Sequence, residues 1–120
     1  MNPDTRACVA YAALRLIAQR SASVIYDCSR CRYISIDGNV SGNGMQLYDY
    51  SRNARIIGDG SDGQYKLYDC EKACQIDLRI KGKHYEGFDC NSLTRFSGTV
   101  AGDATSLYDH TDAGFFDYTL

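Results

Sequence analysis

The chain has no tryptophan, one proline and only two glutamates, Glu71 and Glu86. A single proline leaves nothing from which to build a proline-rich linker or a polyproline ligand segment. Charge of one sign is also scarce: 13 basic residues against 15 acidic ones give a formal net charge of −2. No basic field is left for tracking phosphates or holding an anionic membrane, so neither a nucleic acid nor a membrane is expected as a partner. The longest apolar run, Ala7 to Leu14, is eight residues, far short of the roughly 20 that cross a bilayer as a helix. There is no G-x-S-x-G, no H-E-x-x-H and no phosphate-binding Gly-Lys-Ser/Thr loop, so no catalytic set and no cofactor is expected.

What is abundant favours strands and turns: 10 tyrosines, 11 glycines and an acidic complement that is almost all aspartate. At 120 residues the chain makes one domain, 1–120. Residues 1–20 read as a helix, because Asp4 or Thr5 offers a capping oxygen and Arg6 to Arg20 is free of glycine and proline. A secretory leader is the rival reading of this segment, but Arg15 interrupts its apolar centre and Asp4 spoils its basic end. The apolar arc of the helix, including Val9, Leu14, Leu16 and Ile17, is wide and calls for cover on more than one side.

Residues 22–120 are a fivefold repeat. Its anchor is an aromatic followed by aspartate: Tyr26-Asp27, Tyr48-Asp49, Tyr68-Asp69, Phe88-Asp89 and Tyr108-Asp109, in one step of 22 and then steps of 20 residues. Apolar residues recur eight positions later at Ile34, Ile56, Ile76, Phe96 and Phe116, between polar neighbours. Alternation with period 2 marks strands with one buried face, and each unit reads as a hairpin: strand, four-residue turn such as Ser51 to Ala54, return strand, glycine-rich link. With that turn, Leu67 faces Leu78, Tyr65 faces Ile80 and Asp69 faces Ile76 inside, while Tyr68 faces Asp77 and Cys70 faces Gln75 outside. The fold expected is all-β with one N-terminal helix: an antiparallel meander of about ten strands closed as a barrel or folded as a two-layer sandwich. A β-solenoid of 20-residue coils is the alternative.

On the polar face the anchors form an aromatic column, and Tyr26, Tyr48, Tyr50, Tyr68, Phe88 and Tyr108, with Leu14, Leu16 and Ile17 of the helix, are the candidate interaction surface. Half-exposed strand tyrosines or a groove for flat ligands are the other readings of that column. The aspartates stand where strand meets turn and are expected to accept turn N–H groups, each worth about 1 kcal/mol on Asp→Ala. Arg30, Arg52 and Lys72, three residues on, add ion pairs that are weak if exposed. Cys28-x-x-Cys31 and Cys70-x-x-x-Cys74 invite a zinc reading, but Cys28, Cys70 and Cys90 share a repeat position that elsewhere holds Tyr50 and His110. That is a size-tolerant site, so reduced thiols and no metal are expected.

The unit Tyr85-Glu86-Gly87-Phe88 with Arg95 to Gly102 is similar to hairpin repeats of the MORN type. More closely, Val24-Ile25-Tyr26-Asp27, Leu47-Tyr48-Asp49-Tyr50 and Leu107-Tyr108-Asp109-His110 resemble Tyr-Asp-Tyr repeat proteins. Those are small bacterial proteins of unassigned function, some carried on integron gene cassettes. The resemblance spans about residues 22–120 and implies a bacterial, cytoplasmic accessory protein, with no catalytic residues to carry over. The function expected is a non-enzymatic binding or assembly module, the alternative a ligand carrier or enzyme with its site in a barrel mouth. Sheet edges, the helix and the aromatic column together point to self-association as a dimer.

Overall fold

In the computed structural model, which describes residues 1–120, Asn2 rather than Asp4 or Thr5 caps the helix, its side chain accepting from the Asp4 N–H at 2.9 Å. Pro3 explains the shift: it takes the first helical position, where its missing N–H is no loss and its φ is already helical. Helix α1 spans Pro3–Ala18 and ends at Gln19 in the left-handed conformation. The strands are β1 (Val24–Asp27), β2 (Arg32–Ser41), β3 (Gly44–Asp49), β4 (Ala54–Ser61), β5 (Gln64–Asp69), β6 (Cys74–Lys81), β7 (His84–Asp89), β8 (Thr94–Ala101), β9 (Ala104–Asp109) and β10 (Gly114–Thr119).

Two turn types alternate. The links shrink to two residues: Gly82-Lys83 and Gly102-Asp103 place glycine at φ 61°, and Asp62-Gly63 has both residues at positive φ. These are the backbones whose twist matches flanking antiparallel strands. The other turns have four residues and end in a left-handed residue: Cys31, Asn53, Ala73, Leu93 or Ala113.

Every strand pairs antiparallel with its sequence neighbours, and β1 pairs with β10, closing a ten-stranded barrel. The barrel form of the expected fold is therefore the one adopted, not the sandwich or the solenoid. The pairing corrects the expected register. Leu67 lies opposite Ile76, Tyr65 opposite Leu78 and Asp69 opposite Cys74, two residues from the sequence-based pairing. The turn is Cys70 to Ala73, not its neighbour one residue on, because it starts directly after the aspartate that caps it. A two-residue slip leaves every side chain on its assigned face, since the period of a strand is two. Thus Ile56, Leu67, Ile76 and Leu78 point inward while Lys66, Tyr68 and Arg79 point outward.

The register also explains a repeat irregularity. The inward pairs Gly38–Leu47, Gly58–Leu67 and Gly98–Leu107 each join one glycine to one leucine, and β6–β7 reverses the order as Leu78–Gly87. A Cβ on Gly87 would run into the Asp77 carbonyl and the Phe96 ring. One large side chain per pair fills the wall, whichever strand supplies it.

Inside the barrel stands α1. All residues from Thr5 to Leu14 are buried, on every side of the helix, and they share one core with Ile25, Ile34, Leu47, Leu67, Phe96 and Leu107. The wide apolar arc is covered by the chain's own sheet, and closure leaves no free edge. Two of the three grounds for expecting a dimer thereby fall away. No helix is long and apolar enough to cross a membrane.

Candidate functional site

One mouth of the barrel carries the densest polar chemistry in the molecule. Asp27, Asp49, Asp69, Asp89 and Asp109 end β1, β3, β5, β7 and β9, all facing inward and all essentially without solvent exposure. As expected, each caps its turn: the N–H two residues on donates to it, at 3.0 Å from Ser29, 2.9 Å from Ser51, 3.1 Å from Glu71, 3.0 Å from Asn91 and 2.9 Å from Thr111. The N-terminus of α1 rises through this ring, so the positive end of its dipole faces five carboxylates.

Cations from three parts of the chain pair with four of the five, while Asp89 accepts only from the Asn91 N–H and the Ser92 hydroxyl, both at 3.0 Å. Arg52 bridges Asp49 at 2.9 Å, Asp69 at 3.0 Å and Glu71 at 3.1 Å with only 6% of its side chain exposed. Arg30 joins Asp27 at 2.6 Å to Asp4 of the helix at 2.9 Å. Arg6 reaches Asp109 and the Tyr118 hydroxyl and lies over the Phe116 ring, while the Met1 amine meets Asp109 at 3.1 Å. Lys72, expected to pair with its aspartate, instead meets Glu71 at 3.6 Å. Thr5 donates to Asp69 at 2.9 Å.

Burial alone would raise the carboxyls of Asp27, Asp69 and Asp109, but hydrogen bonds from Arg30 and Ser29, from Arg52, and from the Met1 amine respectively hold them below the usual range. No buried side-chain polar atom in the chain lacks a partner. Asp27, Asp49, Asp69 and Asp109, pinned by cations as well as turn amides, lack the free lone pair and the poised proton that acid–base chemistry needs. The ring is a structural clasp between helix and wall. Cys8, the only buried thiol, sits 3.5 Å from Asp49 and 3.6 Å from Arg52. Burial and the Asp49 charge push its pKa up, so it stays a protonated thiol. Behind this mouth the lumen is filled by α1.

The outer wall carries the aromatic column. Tyr26, Tyr48, Tyr68, Phe88 and Tyr108 do face outward, but they lie on β1, β3, β5, β7 and β9 of a closed ring. They form a girdle pointing in several directions and not one face. Edge-to-face contacts at 4.7–4.8 Å join Tyr26 to Tyr33, Tyr48 to Tyr50, and Tyr108 to both His110 and Phe115. Tyr50 is exposed and hydrogen-bonds Asp37. The helix half of the expected surface is corrected: Leu14 is fully buried in the lumen, and Leu16 and Ile17 pack partly buried against the core. Of the histidines, His84 meets Thr99 through Nδ1 at 2.9 Å, and His110 meets Tyr108 edge to face.

From β2 to β8 the outer wall forms a broad open groove, and its apolar strip lies over β4 to β7. Ile57 and Tyr68, opposite each other on β4 and β5, are 40% and 43% exposed, and Phe88 lies two strands further round. Lys66, Asp77 and Arg95 flank them. Charges of both signs beside an apolar strip suit a protein surface and give no phosphate track. Ile57 is missed by repeat reasoning because its equivalents, Asp77 and Ser97, are polar; its alternation-breaking position after Ile56 is the available signal. Comparison with protein-family models, with curated proteins and with solved structures finds no match to this chain.

Proposed function

We propose that this chain is a non-enzymatic binding module that engages a protein partner through its outer wall over β4–β8. What carries the reading is the filled lumen: with α1 buried from Thr5 to Leu14, the surface left for work is the outside, where Ile57 and Tyr68 stand exposed side by side in a charged groove. A cytoplasmic accessory role, as the Tyr-Asp-Tyr resemblance implies, belongs to the same reading. Self-association is its narrower form, in which the partner is a second copy meeting the first through this groove.

The test is photo-crosslinking in the producing cell. A crosslinking phenylalanine in place of Tyr68 or Ile57 is expected to trap one discrete heavier species, and the same group in place of exposed Thr111 is not. A species at twice the chain mass identifies a second copy. Equal trapping from all three positions, or none from Tyr68 and Ile57, overturns the proposal.

A further inference from the structure

Five of the six thiols lie outside the core, and only two of them oppose each other. In the first hairpin Tyr26 pairs with Tyr33 and Asp27 with Arg32, so the same register sets Cys28 opposite Cys31 across the turn. They are the first and last residues of that turn, and both thiols lie close to the Tyr26 hydroxyl on the outer face. Both cysteines are exposed, and the Cys31 thiol donates to the Cys28 carbonyl at 3.4 Å, which draws its sulfur back over the turn. A four-residue turn holds its end Cα atoms within about 7 Å, against the roughly 4.4–6.8 Å that a disulfide spans.

The other thiols lack this geometry. Opposite Cys70 stands Ala73 and opposite Cys90 stands Leu93, by the registers Asp69–Cys74 and Asp89–Thr94. Cys74 shares the inward face of Asp69, away from Cys70. Cys8 is buried.

We propose that Cys28 and Cys31 are a redox modification site, closing to an intramolecular disulfide with a low-molecular-weight disulfide such as oxidised glutathione as the oxidant. One protein thiolate attacks the glutathione disulfide, forming a mixed disulfide and releasing one glutathione thiolate. The second protein thiolate attacks the protein sulfur of that mixed disulfide and expels the other glutathione. Two protein thiols and one oxidised glutathione thus become one protein disulfide and two reduced glutathiones. Partial desolvation at the turn and the charges of Asp117 and Asp27 hold the Cys28 pKa up, which suits Cys28 to the second, resolving step.

The site lies at a mechanical join. Arg30, between the two cysteines, ties Asp27 to Asp4 of α1, and the Cys28 N–H donates to the Asp117 carbonyl of β10 at 3.0 Å. The disulfide clamps the turn that fastens the helix start to the barrel seam.

The test treats the intact protein with oxidised glutathione, blocks remaining thiols during unfolding, and digests it with trypsin. Cleavage after Arg20, Arg30 and Arg32 leaves Ser21–Arg30 and Cys31–Arg32 joined only if the disulfide is present. The expected result is that linked pair, two hydrogens lighter than its parts and released by dithiothreitol. Cys28→Ser should stop at a persistent glutathione adduct on Cys31. Should the wild type keep glutathione on Cys28 or Cys31 unresolved, or oxidise only at Cys70, Cys74 or Cys90, the proposal fails, and this reading of the wild type does not depend on how the variant folds.

Discussion

The two ends of the barrel solve one problem, reversing the chain between strands, by opposite means. At the end where α1 starts, four-residue turns leave backbone N–H groups that the short loop cannot satisfy, and a buried aspartate accepts them in all five units. Four of those carboxylates take cations from the helix and from the turns themselves, and Asp89 a serine hydroxyl instead. At the end where α1 stops, two-residue turns close without a buried carboxylate, three of the four with a residue at positive φ, and the charges there stay in water, as in the Arg20–Asp103 pair with about half of each side chain exposed. Loop length thus decides where charge is buried, and the helix N-terminus lies at the end where the carboxylates collect.

Breaking the clasp should have the largest effect. Arg52→Ala leaves Asp49 and Asp69 buried without their shared cation, a loss of about 3–5 kcal/mol by denaturant titration. A loss below 1 kcal/mol would show that the ring is not coupled to stability. Asp69→Ala removes the cap together with the Thr5 and Arg52 contacts, so it should cost about 3 kcal/mol, above the single-cap value expected from sequence.

Acid should act on the same end. The carboxyls of Asp27, Asp69 and Asp109 are lower in the folded state than in the unfolded chain. Their stabilisation is complete above the unfolded value of about 4 and is lost as pH falls through the lower folded values. Thermal midpoints that stay flat from pH 6 to pH 2 would contradict this. On the alkaline side, burial raises Tyr85 and Tyr11, and lifts Tyr118 to about 12 against the Arg6 hydrogen bond. Stability should decline above pH ~10, where unfolded tyrosines ionise first.

The turns sharpen the contrast. Ala73 occupies a left-handed position at the clasp end, so Ala73→Gly should stabilise by up to about 1 kcal/mol, whereas Gly82→Ala at the other end should destabilise by a similar amount. Equal signs for the two would mean that positive φ does not set the residue preference at one of these positions. The smallest effect is expected from Arg20→Ala, about 0–1 kcal/mol and salt-sensitive, since its partner Asp103 is also exposed.

Much of this architecture is legible in the order of residues, and the exceptions have physical reasons. Strand number and the inward or outward sense of Ile56, Leu67 and Tyr68 follow from period-2 alternation, which survives a register slip of two. The slip itself arises because the cap on Asp69 sets where the turn begins, and periodicity does not report hydrogen bonds. Arg52 reads as an ordinary turn arginine; its grip on two strand ends depends on β3 and β5 being brought within one side chain's reach. The candidate face dispersed for a related reason. Equal spacing in sequence places Tyr26 to Tyr108 on alternate strands, and on a closed surface alternate strands look outward in different directions.

By itself the sequence determined the repeat unit, the strand faces, the capping aspartates and the presence of one helix needing cover, because these depend on local chain chemistry and on short-range periodicity. Tertiary structure alone decided that the cover is the chain's own barrel, that Leu78 and Gly87 exchange volume across one strand pair, and that Arg6 reaches Asp109 while Arg52 joins Asp49 to Asp69. Each of those depends on residues far apart in the chain meeting at one point. Closure of the sheet creates that meeting, and no local pattern encodes it.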